Sequence, residues 1–363
     1  MSHKFLFNDK PFDAIEFLKS LIAIPSYSRE EMATADLFET FFDQNKIKCS
    51  RIQNNVWVKN KYFDARKKTL LLNSHHDTVK PNGGYTNDPF QPFEKDGKLF
   101  GLGSNDAGGP LVSLLATFLS FYDSNLAVNI IFAASAEEEI SGANGIELLL
   151  KNLPEVDMAI VGEPTEMKMA VAEKGLIVLD CISNGKAGHA ARDEGDNAIY
   201  KAIKDIEWFK EFSFPKSSGL LGPVHIAVTS IETNNKAHNV VPAQCRFVVD
   251  IRVNEMYTLE EIVSIIKANV LCDVIPRSTR LQPSFINNDH PLVVAGKKLK
   301  FDFYGSPTCS DMALMNLPAI KIGPGDSVRS HTADEYIFVD EIRFAIEKYI
   351  SIINEVSEIL KVE

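Results

Sequence analysis

Four places in the chain put histidine or acidic residues just beyond an apolar run. They are "LLLNSHHD" at 70–77, "IIFAASAEEE" at 130–139, "AIVGE" at 159–163, and "IKIGPG" at 320–325 followed by His331. Histidine nitrogen and carboxylate oxygen are the donors that divalent metals such as zinc take. One polar residue at a strand end is only a loop residue in water; four such ends, all rich in metal-ligand types, form a pattern. His75 and Asp77 lie two apart, so on an extended chain they point the same way. His75 can bind a metal while Asp77 supports it, as outer carboxylates often do. His76 points to the other side and reads as a packed or exposed ring. Glu137, Glu138 and Glu139 crowd three acids together, which costs energy unless a cation or a proton compensates. Asp106, in "GLGSNDAGG" (101–109), has two readings: a cap for the helix that follows, or a carboxylate between two metals.

The apolar runs that carry these residues are buried strands. Residues 69–74, 127–135 and 157–162 are short and apolar throughout, as strands covered on both faces are. Helical spacing occupies 11–23, 29–45, 108–122 and 142–153. Strands alternating with helices predict an α/β fold with a mixed, mostly parallel sheet flanked by helices. In such sheets ligands gather beyond the carboxyl ends of the strands, where the four clusters fall. After about residue 168 the order becomes β-α-β-β-α, which predicts a small α+β layer. From about 285 the α/β texture returns, ending in a long helix from Val339. The expected division is 1–168 and 283–363 as one catalytic domain, with 169–282 inserted into it.

Composition narrows the function. The formal net charge of −11 over 363 residues argues against a nucleic-acid surface. No apolar run reaches the ~20 residues of a membrane helix, and no signal peptide is read in the first 25 residues. Five cysteines without a C-x-x-C pair indicate neither a zinc knuckle nor a disulfide framework, so a reducing cytoplasm is expected. Signatures of zincins, serine hydrolases, P-loop proteins and dinucleotide-binding proteins are absent from the sequence.

Five ordered motifs, "SHHDTV", "GLGSNDAGG", "AEEEISGANG", "VGEPT" and "HTADEY", resemble those of the dinuclear-zinc aminoacylase and carboxypeptidase family. The likeness continues through "GKAGHAARDEGDNAI" (185–199) and "NVVP" (239–242). The resemblance implies a zinc-exopeptidase type of fold with an inserted dimerisation and lid domain. It implies two zinc ions, with cobalt or manganese as substitutes. His75, Asp106 and Glu163 would hold one; Asp106, Glu139 and His331 would hold the other, with Asp106 bridging. Glu138 would be the general base, and Asp77 would support His75. His189 resembles the histidine that reaches across a homodimer to polarise the scissile carbonyl, and Asn239 and Arg252 resemble residues that grip a substrate carboxylate. Two positions depart from the family pattern: Glu137 stands where Asp is usual, and Ala107-Gly108-Gly109 replaces Met-Lys-Gly.

The implied activity is hydrolysis of the amide bond of a small N-acyl-L-amino acid. "GSPTCSDMALM" (305–315) resembles the branch that deacylates acetylornithine and acetyllysine, so N-acetyl-L-ornithine, and with it arginine biosynthesis, is the expectation. N-succinylornithine, N-acetylcitrulline and N-acetyllysine are alternatives, as are dipeptides and carboxypeptidase substrates. Asp311 has two readings, a partner for a cationic side chain or a solvated loop carboxylate.

Overall fold

The computed structural model describes residues 5–7, 10–192 and 194–361. The chain divides into two compact units: Met1–Val171, Ile286–Tyr304 and Ser310–Glu363 form one, and Ala172–Phe285 with Gly305–Cys309 form the other.

The first unit is built on four neighbouring parallel strands, Ala319–Lys321, Met158–Val161, Thr69–His75 and Asn129–Ser135, in that spatial order. Antiparallel strands extend it on both sides: Asn55–Lys59 and Cys49–Ile52 beyond Asn129–Ser135, and Met169–Glu173 beside Ala319–Lys321. Alternation along Thr69–His75 sends Leu70 and Leu72 to one face and Leu71 to the other. Leu70 and Leu72 join the larger core with Phe38, Phe118, Phe132 and Tyr349, and Leu71 joins Ile131, Ile146, Val161 and Met312. Both faces are therefore covered, which is why the strand has no polar alternation. The helix Gly109–Phe121 is apolar nearly all round and buried, packing between the sheet and the helices Ala14–Ile22 and Val339–Leu360. Phe17, Phe38, Phe41 and Phe42 stack edge to face on that side.

Several expected elements are shorter. The first helix starts at Ala14, capped by the Asp13 carboxylate. The expected helix over 142–153 is reduced to Ile146–Leu150, because 142–144 wraps the Glu137 side chain instead. Asn144 donates to that carboxylate from both backbone and side chain, and Gly142 N–H donates to the Glu137 carbonyl at 2.8 Å. A Cβ on Gly142 would lie 2.0 Å from Glu137 Oε2, so the wrap needs glycine there.

The second unit is a four-stranded antiparallel sheet, with His225–Glu232, Gln244–Val253, Gly175–Asn184 and Asp273–Pro276 in spatial order. Strict burial alternation along Gly175–Asn184 marks a sheet covered on one face. The helices Ala198–Glu211 and Leu259–Lys267 supply that cover, the latter started by a Thr258/Glu261 capping box. Among the described residues no helix is long and apolar enough to cross a membrane.

Candidate metal centre

His75 is the last residue of its strand and is 1% exposed. Its Nδ1 lies 2.9 Å from the Asp77 carbonyl oxygen. A carbonyl only accepts, so Nδ1 carries the proton and the lone pair of the neutral ring sits on Nε2. That atom faces Asp106 Oδ1 at 3.3 Å and Glu138 Oε2 and Glu163 Oε1 at 3.9 Å each. The other Asp106 oxygen, Oδ2, stands 3.7 Å from His331 Nε2, which is 2.9 Å from Glu139 Oε2. One carboxylate thus turns an oxygen toward each histidine. All six residues belong to the first unit.

Asp106 is not a helix cap. It lies in a wide π-type turn, Ser104–Gly108, with extended φ −122° and ψ 97°. Its backbone is held from elsewhere: Glu335, 2% exposed, accepts N–H groups of Gly103, Asn105 and Asp106 at 2.9, 2.8 and 2.9 Å. The Asp77 carboxylate is closer to the glutamate run than to His75. It accepts Glu138 N–H at 3.0 Å, Glu139 N–H at 3.2 Å and the Ser28 hydroxyl at 2.7 Å, while His75 Nδ1 is 3.5 Å away. Glu31, fully buried, takes Glu137 N–H at 3.2 Å, Arg29 N–H at 2.6 Å and the Asn54 amide at 2.8 Å. Glu137 and His331 have φ of 56° and 59°, a left-handed backbone uncommon outside glycine that collects at functional sites.

The charges are crowded. Burial pushes Glu138 well above the usual carboxylate range, and repulsion from Glu163, Asp311 and Glu139 adds to it. Burial likewise raises Glu163 to about 8. The hydrogen bond to Glu139 raises His331 to about 9. Buried acids in this state need a proton or a cation. Two overlapping sets, His75–Asp106–Glu139 and His75–Glu138–Glu163, each offer ligand atoms within 4.8 Å of one another. Nitrogen plus carboxylate donors facing a shared point suit divalent cations; the two sets share His75, and His331 stands beside the first through Glu139 and Asp106. In the second set Glu138 stands with His75 and Glu163, where Asp106 was expected.

The structure puts other expected residues elsewhere. His189, Asn239 and Arg252 lie in the second unit. His189 is exposed on a two-residue strand paired with Val240–Val241, and its Nδ1 accepts Ala191 N–H at 3.2 Å, leaving Nε2–H as the free donor. Asn239 is in the facing turn, where its carbonyl accepts Ala190 N–H at 2.9 Å. Arg252 is half-buried and clasped by Asp250 at 2.8 and 3.1 Å. His76 packs edge-on to Phe38, hydrogen-bonded to Thr34 and the Asn54 carbonyl, and burial lowers it to about 4. Asp311 is not a solvated loop acid: it is 2% exposed, accepts from Asn73 and Ser135 at 2.7 Å each, and burial raises it to about 6. Glu31 and Glu335 escaped the sequence reading. Neither follows an apolar run, and the only sign of Glu335 was its place in "HTADEY".

A mixed α/β sheet with two histidines and four carboxylates gathered at its strand ends and the turns beside them has the form of a metallopeptidase. The model of Peptidase family M20/M25/M40 matches residues 71–355, and the chain belongs to that family. A succinyl-diaminopimelate desuccinylase from Wolbachia pipientis wMel is 26% identical over 264 residues, covering 68% of this chain and 66% of that protein. The match therefore spans just under two thirds of that relative's length. Another from Orientia tsutsugamushi is 25% identical, covering 92% and 94%. Among solved structures, an M20 family metallo-carboxypeptidase from Sulfolobus solfataricus superposes with a TM-score of 0.76 at 17% identity, over 96% of this chain and 100% of that one. A Staphylococcus aureus tripeptidase gives 0.77 at 18%, over 95% and 98%. The fold is that of these metallopeptidases, mostly parallel at its centre with flanking helices.

Proposed function

We propose that this protein is a two-metal amidohydrolase that releases the free amine from an N-acyl-L-amino acid. The observation that carries this is the Asp106 carboxylate, with one oxygen toward His75 and the other toward His331. His75, Asp106 and Glu163 would hold one divalent ion, and Asp106, Glu139 and His331 would hold the other; zinc is the proposed metal, with cobalt or manganese able to replace it. When bound, such a pair polarises an amide carbonyl and acidifies the attacking water.

Glu138 takes a proton from that water and delivers it to the departing nitrogen as the C–N bond breaks. Its neighbour Glu139 is hydrogen-bonded to His331, so the two glutamates divide the labour. Asp77 fixes both by holding their N–H groups. His189, with Nε2–H free, supplies the donor for the oxyanion. Asn239 and Arg252 take the substrate carboxylate.

His189 acts in the partner's site of a homodimer. An open sheet edge supports this: among the described residues His225–Glu232 pairs on one side only, with Gln244–Val253. Ile231 on that strand and Tyr200 and Ile203 on the adjacent helix are exposed at 53%, 67% and 41%. An unpaired edge beside apolar surface is a template for a second chain. Among the described residues no cysteine is in a disulfide, which fits the cytoplasm.

For the substrate, the 305–315 motif favours N-acetyl-L-ornithine. The names of the relatives favour a second reading, N-succinyl-diaminopimelate. The purified protein with zinc restored should be given both, together with N-acetyllysine, N-acetylcitrulline, N-succinylornithine and a set of dipeptides. Metal-dependent amine release, fastest from one N-acyl amino acid, is expected. Faster cleavage of dipeptides overturns the deacylase reading, and no cleavage of any amide overturns the hydrolase.

A further inference from the structure

The turn that carries Asp106 has little secondary structure to hold it. Gly103 sits at φ 73° and Asp106 at φ −122°, so the N–H groups between them have no regular ladder to join. Three of them converge on one buried carboxylate: Gly103 on Glu335 Oε2, Asn105 and Asp106 on Glu335 Oε1, all within 2.9 Å. Gly101 N–H donates to the Glu335 carbonyl at 3.0 Å. The same short segment begins with His331, whose carbonyl accepts from Asn82 at 3.1 Å, and includes Asp334, which accepts Thr86 and Asn87 N–H at 3.0 and 3.1 Å. A carboxylate only accepts, so it can serve three donors. A glutamine in its place would turn an NH2 toward at least one of them.

We propose that Glu335 is a positioning residue, orienting the Asp106 carboxylate through the backbone that carries it and, from its place four residues after His331, holding the two donors as one unit. This rests on the two-metal reading of the site. The geometry leaves Glu335 no direct role with substrate, since its oxygens are spent on the loop.

The test is Co2+ titration of metal-stripped full-length protein, followed by chelator competition and by the visible d–d spectrum, with wild type, Glu335→Gln, Glu335→Asp and Asp334→Asn compared. Loss of a partner of this kind typically costs about 10- to 100-fold in metal affinity. Glu335→Gln should show that loss and an altered spectrum. Glu335→Asp, which keeps the charge on a shorter arm, should fall between it and wild type and remains measurable where Glu335→Gln does not fold. Asp334→Asn should stay near wild-type affinity. If wild type takes up two Co2+ and a folded Glu335 variant does so with unchanged affinity and spectrum, the inference fails, even where the metal-free protein has become less stable. An equal loss in Asp334→Asn also overturns it. If wild type takes up no Co2+, the two-metal reading falls, and this inference with it.

Discussion

The two units hold their chemically important residues in opposite ways. In the first, His75 is 1% exposed and Asp77 is fully buried, and the turn bearing Asp106 is tied down by a residue more than two hundred positions away. In the second, His189 and Asn239 are exposed beside a short pairing of two distant two-residue strands, held mainly by backbone bonds. The contrast follows from the tasks proposed for them. Donors for a metal pair must be fixed while their charges repel; most of them are buried and cross-braced, and His331, which is exposed, is held by Glu139 at 2.9 Å. Groups that meet a substrate arriving from solvent need access.

The largest effect that could break this contrast is expected at Glu138. Glu138→Gln should lower kcat by about 1000-fold or more while two metals stay bound, because the amide can neither take nor return a proton. Glu139→Gln should instead weaken the second metal. Metal analysis and turnover on the same samples check both, and exchanged phenotypes would move the base by one residue.

His189→Ala should lower turnover by about 100- to 1000-fold, as loss of one oxyanion donor does, with metal content unchanged. Mixed with Glu138→Gln, it should regain activity, since a mixed dimer has one site with both groups native. No rescue after proven subunit exchange would remove His189 from the partner's site and weaken the comparison.

Truncation in the rigid unit comes next. Leu71 is fully buried beneath the strand end that carries His75, so Leu71→Ala should cost about 2–5 kcal/mol, read from denaturant unfolding. A loss below 1 kcal/mol would mean the first unit is less tightly packed than its burial indicates.

The smallest effect belongs to the second unit's surface. Arg277 lies 2.8 Å from Asp180, both about half exposed, and the hydrogen bond to Arg277 holds the Asp180 carboxyl below its usual range. A depressed carboxylate stabilises above its unfolded pKa, and that stability is lost as pH falls through the folded value. Asp180→Asn should therefore cost a few tenths of a kcal/mol at neutral pH and nothing in strong acid. Urea midpoints at two pH values would show it.

The site was legible where it follows buried strands. His75, Glu138, Glu139 and Glu163 stand just past apolar runs, and the sheet brings these ends together. What could not be read was the bracing. Glu31, Asp311 and Glu335 are buried acids in irregular segments, and nothing local separates them from solvated ones; only contacts with distant backbone or side chains do. Asp106 allowed a cap reading beside the metal one, because glycines and a helix follow it. The turn proved wider than a cap, and long-range bonds to Glu335 decide its shape. The helix expected over 142–153 was shortened for a related reason, since the Glu137 carboxylate claims residues that helical spacing alone would have wound.

The strand Ala319–Lys321 lies between Met158–Val161 and Met169–Glu173 in space, although both neighbours come much earlier in the chain. A ribosome therefore makes the flanking strands and most of the second unit before it makes the strand that joins them. Until then Met158–Val161 has an open edge on that side, exposed to pairing with other chains. The second unit's sheet pairs only residues between 175 and 276, so it can form in that interval. The first is expected to close only when residue 321 emerges, and His331 follows soon after. The nascent protein should thus be unable to hydrolyse anything until the strand Ala319–Lys321 and then His331 are in place.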